Sequence, residues 1–422
     1  MGVINQGFFV VKSIIKNHDH SQQQSILDGD SSLLSQTHFP CEQCGADLIY
    51  SPDKQELVCE YCGFQNVIPV SYQPIKEYDF KTALHDLERL KRNGNQTNVG
   101  IIKCPSCAAQ FSLENEFSAD CPFCGTPVVT STEHARFIHP ESLLPFTITD
   151  KQAIAAFDEW IGSLWFAPSE LKKISKREEK LTGVYLPYWT YDSATENTYR
   201  GQRGTVYYER QVFHVVIDGR RVRQVRSIPR VRWRPVSGHV ALHFDDILIG
   251  ASKTLPRSIL DHLAPWDLRN LVPYSESYLS GFRSELYQVT VDQGFMQAKN
   301  IMDYHIDNAV RADIGGDRQR VAAIDTQHHD TTFKHLLLPV WSAAFKYRGK
   351  TYRYVINGRN GKIHGERPYS IVKIMAASIL ALSLLAGGFY FLKKSGAFDQ
   401  MQSYERQYTP PSRQWNTNRF DY

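Results

Sequence analysis

The sequence predicts an α+β protein in which two tandem cysteine-rich ribbons precede a larger mixed α+β domain rich in antiparallel strands. Three observations support this prediction: four C-x-x-C pairs lie between residues 41 and 124, helical and strand-like patterns alternate from residue 131 to residue 370, and a long uncharged run follows. The 422 residues allow two or three domains. Because 48 Lys and Arg residues oppose 44 Asp and Glu residues, net charge alone favours no class of partner.

The N-terminal residues 1–37 are rich in polar side chains and lack the charged, apolar and small-residue order of an export signal. We therefore expect a flexible N-terminal segment and a chain that keeps its cysteines reduced. This excludes a disulfide-stabilised secreted domain and leaves metal binding as the expected use of the cysteines.

The eight cysteines have the spacing of two metal sites with four thiolate ligands each. One C-x-x-C turn aims two thiolates at one point, and a second turn completes a tetrahedron around a soft ion. A tetrahedral site of four sulfur atoms suits Zn²⁺, with iron as the alternative. We expect two structural zinc ions, because four thiolates close the coordination sphere. The predicted ligands are Cys41, Cys44, Cys59 and Cys62 in the first zinc ribbon (residues 38–72) and Cys104, Cys107, Cys121 and Cys124 in the second (residues 101–130).

Small residues follow the second cysteine of each pair. Glycine stands there in three pairs, as Gly45, Gly63 and Gly125, whereas Ala108 follows the pair Cys104/Cys107. Glycine adopts the left-handed backbone conformation that turns N–H groups toward sulfur. The sequence thus predicts the same tight turn, here called a knuckle, at each glycine.

Two amphipathic helices are predicted on either side of the second ribbon. The residues between the ribbons, 73–100, contain a helical pattern at Tyr78–Lys91 that we interpret as a spacer. A second helix begins at Asp150, within the α+β domain at residues 131–370. Its predicted apolar face consists of Ile154, Phe157, Ile161 and Leu164.

Strand patterns dominate the centre and the end of the α+β domain. Residues 184–250 are predicted to form strands around a hairpin turn at Asp218–Gly219. A helix at Phe295–Asp313 is predicted to end at Gly315–Gly316, with one apolar face formed by Ala298, Ile301, Met302, Ile306, Ala309 and Val310. A strand, turn and strand follow at residues 352–365. This mixed order of elements is typical of the α+β class.

An uncharged run of 19 residues, Ile374–Leu392, lies near the C-terminus. As a helix it is about 28 Å long, which matches the ~30 Å hydrocarbon layer of a bilayer. We therefore predict one transmembrane helix within residues 371–394, followed by a polar tail at residues 395–422. Basic residues are denser before the run than after it, so we expect a single-pass protein of the cytoplasmic membrane with its N-terminal domains in the cytoplasm.

Residues 200–234 carry ten arginines against Glu209 and Asp218. In the segment Arg230–Arg234, strand alternation places the arginines on one face and the apolar side chains on the other. Such a face can hold phosphates and stack bases, bind acidic lipid headgroups or an acidic protein, or form an ordinary solvated sheet face. The candidate binding residues are Arg220, Arg221, Arg223, Arg226, Arg230, Arg232 and Arg234.

Motifs of the common catalytic classes are absent from the sequence. Gly349-Lys350-Thr351 has Ala344 where a phosphate-binding loop needs its first glycine, and there is no H-E-x-x-H, no G-x-S-x-G and no cysteine outside the four pairs. We therefore predict no catalytic residue and no small-molecule substrate. The remaining candidate for a catalytic metal site is the cluster His239, His243, Asp245 and Asp246. Strand alternation places His239, His243 and Asp245 on one face of the strand.

Several further segments carry a resemblance to a known family. They are Gly162–Pro168, Gly183–Asp192, Pro235–His239 and Phe333–Trp341, beside the cysteine pairs and the apolar run. Together they resemble a bacterial family of membrane-anchored double zinc-ribbon proteins, often labelled primosomal protein N′ (replication factor Y)-like. The resemblance spans residues 38–392 and implies zinc binding in a two-ribbon, one-span architecture. It does not imply helicase activity, because the helicase motifs are missing.

The sequence as a whole predicts a membrane-anchored, non-enzymatic module that binds protein partners and assembles a complex on the cytoplasmic face of the membrane. The alternative is a replication-related nucleic-acid-binding protein that uses the ribbons and the strands at residues 200–234. A third hypothesis, a metal-dependent enzyme, relies on the cluster at residues 239–246.

Overall fold

The fold is described from a computed structural model of the chain. The described residues are 39–69, 74–92, 101–104, 109–112, 118–121, 123, 127–129, 138–168, 170, 181–217, 220–348 and 350–394. They belong to two compact units: unit 1 is drawn from residues 1–199, 238–313 and 323–368, and unit 2 from residues 200–237, 314–322 and 369–422. The domain boundaries given above stay a prediction.

The cysteine region of unit 1 consists of short strands and one helix. β1, β2 and β3 form an antiparallel sheet, and β5–β6 and β7–β8 form two antiparallel pairs. The helix α1 lies where the sequence predicts the spacer helix. The bounds are β1 (Leu48–Ser51), β2 (Glu56–Cys59), β3 (Gln65–Asn66), β4 (Tyr78–Asp79), α1 (Phe80–Arg92), β5 (Ile101–Lys103), β6 (Gln110–Ser112), β7 (Ser118–Asp120) and β8 (Pro127–Val129).

A nine-stranded sheet dominates the rest of the fold and confirms the predicted α+β class. Its long strands follow the order β11-β10-β14-β15-β16, and the short strands β4, β9, β12 and β13 add to it. The further elements are β9 (Ser142–Leu143), α2 (Asp150–Ser163), β10 (Thr182–Ile217), β11 (Arg220–Gly250), α3 (Arg257–Leu263), β12 (Val272–Pro273), β13 (Arg283–Ser284), α4 (Val291–Ile314), β14 (Arg318–Tyr347), β15 (Lys350–Asn357), β16 (Ile363–Gly365) and α5 (Ile371–Lys394). Single turns of 3₁₀ helix lie at Leu268–Asn270 and Glu276–Tyr278.

Both faces of the sheet are buried in unit 1, and successive residues of each strand point to opposite faces. On one face, Tyr185, Leu337 and Trp341 belong to a core cluster that also contains residues of β1, β2 and α2. On the other face, Leu186 and Leu338 belong to a second cluster, which contains Cys104, Cys121, Phe123 and residues of α3. The two cysteine-rich regions therefore pack against opposite faces of one sheet.

The first of these clusters is rich in aromatic rings. Phe146 is fully buried, and its ring stacks on that of Phe282 with 4.2 Å between centroids. The Phe146 backbone carbonyl accepts a hydrogen bond from the Tyr50 hydroxyl of β1 at 3.2 Å. β1 is also held by its backbone, because the N–H group of Tyr50 donates to the carbonyl of Ser280 at 3.1 Å. This ribbon is thus joined to the rest of unit 1 by packing and by hydrogen bonds to the connecting segments at Phe146 and Ser280.

The helices of unit 1 largely follow the sequence patterns. Thr149 and Gln152 form a reciprocal capping box at the start of α2, which begins at Asp150 as predicted. Phe157 and Ile161 are buried as expected, but Ile154 is 41% exposed, so its place on the buried face was wrongly predicted. Ala153 occupies the buried position instead, because the helix turns its core-facing side by one residue.

The helix α4 carries the buried stripe predicted from its sequence. Ala298, Met302, Ile306 and Val310 are all buried, at three- and four-residue spacing. The helix is followed by Gly315 and Gly316, whose φ angles of 64° and 77° are left-handed. The predicted end of this helix is therefore confirmed, whereas the hairpin turn predicted at Asp218–Gly219 lies outside the described residues.

The C-terminal helix α5 includes Ile371–Phe391, a stretch of 21 residues that is long and apolar enough to cross a membrane. Within the part of the chain that the structure describes, no residue of this stretch is buried. Its exposed side chains include Leu384 and Leu385 at about 70% each, which is unlike the core helix of a soluble domain.

The buried aromatic contacts of Phe146 generate a stability prediction. We expect Phe146→Ala to lower the free energy of unfolding by about 3–5 kcal/mol, because the neighbouring rings cannot fill the cavity. Ile154→Ala is the matched control on the adjacent helix and should change stability by less than about 1 kcal/mol. Urea unfolding of the full chain in detergent measures both, and equal losses in the two variants would contradict this packing.

Candidate metal centre

Four cysteines of the first ribbon meet at one point. The sulfur atoms of Cys41, Cys44, Cys59 and Cys62 all lie within 4.8 Å of one another. The Sγ atoms are 3.4 Å apart for Cys41 and Cys62 and 3.5 Å apart for Cys44 and Cys59, so each contact joins one knuckle to the other. These distances exceed the S–S bond of about 2.05 Å in a disulfide. They are close to the ~3.8 Å that separates two sulfur ligands of a tetrahedral ion with bonds of ~2.3 Å.

The two knuckles have the same backbone geometry. The N–H group of Cys41 donates to the carbonyl of Ala46 at 2.7 Å, and that of Cys59 donates to the carbonyl of Phe64 at 2.8 Å. Gly45 and Gly63 both have a φ angle of 74°, which places them in the left-handed region. The prediction drawn from the glycine after each cysteine pair is confirmed at both positions.

The backbone also favours the metal-binding form of one thiol. The N–H group of Cys62, followed by that of Tyr61, lowers the pKa of the Cys59 thiol to about 7. Because the thiolate is the form that binds metal, backbone N–H groups directed at sulfur prepare the site for a cation.

The site has a buried side and an exposed side. Cys41 and Cys59 are 3% and 1% exposed and belong to the core cluster that contains Trp341. Cys44 and Cys62 are exposed at the surface. An ion held here would connect the surface turn of each knuckle to the protein core.

The second ribbon is described only in part. Cys104 and Cys121 are 1% and 2% exposed and belong to the core cluster on the opposite face of the sheet. The N–H group of Cys104 donates to the carbonyl of Ala109 at 2.9 Å, which is the same five-residue closure as in the first ribbon. The predicted ligands Cys107 and Cys124, and the small residues Ala108 and Gly125, lie outside the described residues.

The arginine segment of unit 2 shows the predicted alternation. Arg230, Arg232 and Arg234 are exposed, whereas Val231 and Trp233 are half-buried. The Arg232 guanidinium lies 5.2 Å from the ring centroid of Tyr207, and that of Arg226 lies 6.0 Å from the ring of Phe213. Arg230 pairs with Glu209 at 3.1 Å. Several arginines thus contact rings and a carboxylate of the same sheet, and their binding role stays a prediction.

The histidine cluster predicted around residue 243 is rearranged in the structure. His239, His243 and Asp245 are exposed on one face of β11, as alternation predicts. Among the described residues, however, the potential cation-binding group contains Asp192, Asp245 and Asp246, and neither histidine belongs to it. Asp246 has a left-handed φ of 54° within β11, and the carboxylates of the consecutive residues Asp245 and Asp246 both lie within 4.8 Å of that of Asp192 on β10.

A lysine lies inside this group of carboxylates. Lys334 of β14 is 8% exposed, and its Nζ atom lies 2.8 Å from Asp246 and 3.0 Å from Glu77. Asp192 accepts a hydrogen bond from the backbone N–H group of Asp246 at 2.6 Å. Thr332 donates to Glu77 at 3.1 Å. The ammonium group supplies the positive charge that these carboxylates need, and this charged cluster ties the segment before α1 to the sheet.

Burial and charge shift the pKa values within this cluster. Burial raises the pKa of Asp192 to about 7, although the hydrogen bond from the N–H group of Asp246 lowers it. Burial by itself would lower the pKa of the Lys334 ammonium group. The nearby carboxylates of Asp246, Asp192 and Glu77 have the larger effect and raise this pKa above its ordinary value. Burial also opposes ionisation of Glu77, yet Lys334 lowers the pKa of this carboxyl below its ordinary value.

Sequence patterns did not indicate the charged cluster. Lys334 stands among apolar residues in Phe333–Trp341, and Asp192 ends the apolar segment Gly183–Asp192. A charged residue inside a buried strand is the signal that could have indicated it, since such residues need a partner of opposite charge.

The backbone of the knuckle generates the first prediction from this site. We expect Gly63→Ala to lower the free energy of unfolding by about 1–2 kcal/mol, because alanine resists the left-handed φ although space for its methyl group is available. Gly162→Ala in α2 is the matched control, since Gly162 also has free space but no positive φ. Alanine favours a helix, so the control should stay neutral or become more stable by up to about 1 kcal/mol. A comparable loss in both variants, measured by urea unfolding, would contradict the strained-turn explanation.

The charged cluster generates a pH-dependent prediction. Lys334→Met removes the ammonium group and leaves Asp192, Asp246 and Glu77 close together, which should cost roughly 2–3 kcal/mol near pH 8. The pKa of Asp192 is raised in the folded chain, so lowering the pH through about 7 protonates this carboxyl and relieves the repulsion. The loss should therefore be smaller near pH 5.5. The control is Lys151→Met at an exposed position, and an equal loss at both pH values in Lys334→Met would contradict the explanation.

Comparison with known proteins identifies one relative and no family. The chain is 24% identical over 364 residues to "Uncharacterized protein YdjG" of Bacillus subtilis (strain 168), and the alignment covers 83% of this chain and 99% of that protein. No family model matches the chain. No solved structure matches it either. The similarity thus extends over nearly the whole length of that bacterial protein and over 83% of this chain.

Proposed function

We propose that this protein is a membrane-anchored, non-enzymatic assembly module in which two structural Zn(Cys)₄ ribbons fix a rigid surface for protein partners. The observation that carries the proposal is the position of the cysteine regions, which contribute buried residues to the core on opposite faces of the sheet. A metal in such a place stabilises a fold. A catalytic metal instead needs an open ligand position.

The donor set supports zinc as the metal. Four sulfur ligands at nearly tetrahedral spacing suit Zn²⁺ or iron, and Zn²⁺ is the more common ion in ribbons closed by C-x-x-C turns. Cys41, Cys44, Cys59 and Cys62 hold the first ion. Cys104, Cys107, Cys121 and Cys124 hold the second, which is supported by the burial of Cys104 and Cys121 and by the shared backbone closure.

The helix α5 supports attachment to a membrane. Its apolar stretch is unburied and matches the length of a span. We assign the N-terminal units to the cytoplasmic side of the cytoplasmic membrane, because basic residues precede the stretch and thiolate ligands require a reducing compartment. The resemblance to membrane-anchored double zinc-ribbon proteins is consistent with this assignment.

Nucleic-acid binding is the alternative function, and one observation weighs against it. Three of the four aromatic rings in residues 200–234 are already contacted by guanidinium groups of the protein itself: Tyr207 by Arg232, Phe213 by Arg226, and Trp233 by Arg320 at 3.9 Å. A steep decrease of oligonucleotide affinity with salt, abolished by changing Arg230, Arg232 and Arg234 to serine, would favour the alternative.

Metal analysis of the full chain, purified in detergent with a reductant, tests the proposal. We expect two zinc ions per chain, and one after either Cys44→Ser or Cys107→Ser, because each variant removes a ligand from a different site. Glu60→Ala is the control within the same knuckle, since Glu60 is exposed and lies between two ligands without being one. An unchanged zinc content in Cys44→Ser would contradict the ligand assignment.

The assembly role requires a second measurement. The full chain extracted from its native membrane with mild detergent should migrate on native gels above its monomer, and chemical cross-links should join it to another protein. A monomer without cross-links, together with salt-dependent oligonucleotide binding, would replace the assembly role by the nucleic-acid role.

A further inference from the structure

The sheet of unit 2 ends in a two-stranded ribbon. The strands β10 and β11 run in opposite directions here, since Tyr207 faces Arg232, Glu209 faces Arg230 and Phe213 lies near Arg226. The third strand, β14, begins only at Arg318, and Asp317 before it accepts a hydrogen bond from the N–H group of Val206 at 2.6 Å. Residues 207–217 and 220–232, here called the arm, therefore extend beyond the third strand.

The arm exposes several apolar side chains to solvent. Val216 is 61% exposed and Val225 is 54% exposed, and strand alternation places both on one face of the ribbon. Val222, which is 41% exposed, lies on the other face. Tyr208 is also exposed, on the same strand as Val216. A two-stranded ribbon is only marginally stable in water, and clustered exposed apolar residues mark a contact surface. The described part of the chain thus leaves apolar side chains on both faces of the arm without an apolar covering.

Arginines alternate with the valines at the far end of the arm. Arg220, Arg221 and Arg223 flank Val222 and are exposed. The described residues of the arm contain one acidic side chain, Glu209, which is paired with Arg230. The arm therefore combines a concentrated positive charge with apolar side chains only one or two residues away. Its partner must therefore offer negatively charged groups for the arginines and, within a few ångströms of them, an apolar environment for the valines.

The surface of an anionic bilayer has this combination, since phosphates lie directly above the acyl chains. We propose that the arm binds an anionic lipid surface, with its valines at the acyl boundary and its arginines on lipid phosphates. Long arginine side chains reach upward to phosphates while their aliphatic parts stay among apolar groups. Nucleic acid also offers phosphates, but it has no apolar medium for the valines. The inference rests on the proposed membrane attachment, because α5 keeps the chain at a bilayer.

Hydrogen–deuterium exchange of the full chain in nanodiscs tests the proposal. Two nanodiscs are compared, one of phosphatidylcholine alone and one of phosphatidylcholine with phosphatidylglycerol. We expect the amides of residues 207–217 and 220–232 to exchange at least about tenfold more slowly in the anionic disc, because lipid contacts stabilise the marginal ribbon. A variant with serine at Arg220, Arg221, Arg223 and Arg226 should lose this protection.

The matched control changes the same number of exposed basic residues in unit 1. It carries serine at Lys54, Lys81, Arg89 and Lys151, all exposed, and should keep the protection. Equal exchange in the two nanodiscs, or protection that the arginine variant keeps, would overturn the proposal. Protection of the arm in neutral nanodiscs on addition of a short oligonucleotide would overturn it in favour of nucleic acid.

The same exchange data test lipid binding by the arm separately from membrane attachment through α5. If α5 is protected in every nanodisc and the arm in none, the anchor stands and the lipid-binding arm fails. If α5 exchanges as fast as in unfolded chains, the membrane attachment itself fails.

Discussion

The structure depends on the double role of two cysteines, Cys41 and Cys59, which are candidate metal ligands and also core residues. Both are almost fully buried and contact the cluster on one face of the sheet. Their partners Cys44 and Cys62 lie at the surface, so closing the site brings the surface turns onto the core. A ribbon of this size has too little apolar surface to fold alone, and an apparent metal-binding free energy of about 10–16 kcal/mol can supply what is missing.

Electrostatic contacts complete the attachment of the cysteine regions to the sheet. The segment that leads into α1 is fixed by the ion pair between Glu77 and Lys334 and by the ring contact between Phe80 and Phe295, whose centroids are 4.4 Å apart. Because Lys334 also pairs with Asp246, one buried ammonium group joins the strands β11 and β14 to the segment between the ribbons. The rigidity this gives to unit 1 agrees with a protein that presents a fixed surface.

Sequence reasoning succeeded where structure depends on near neighbours. The C-x-x-C spacing and the following glycines predict the knuckles, because all atoms of a knuckle lie within six residues. The stripe on α4 and the alternation in Arg230–Arg234 are local patterns of the same kind. The placement of Ile154 failed because a helix face is fixed by what packs on it, and here Phe157 stacks on Tyr354 with 4.1 Å between centroids. The charged cluster was missed because its members are distant in sequence: Glu77 and Lys334 are 257 positions apart, and Asp192 and Asp246 are 54 positions apart.

Thermal unfolding of the full chain in detergent, followed by near-ultraviolet circular dichroism before and after metal removal with a chelator and a reductant, is the most direct test of the structural role of the metals. The aromatic signal reports on rings such as Phe146, Tyr185 and Trp341, which share a core with the first ribbon. We expect metal removal to abolish this signal or to lower its melting temperature markedly, and added zinc to restore it. An unchanged melting curve in metal-free protein would contradict the structural role of the metals.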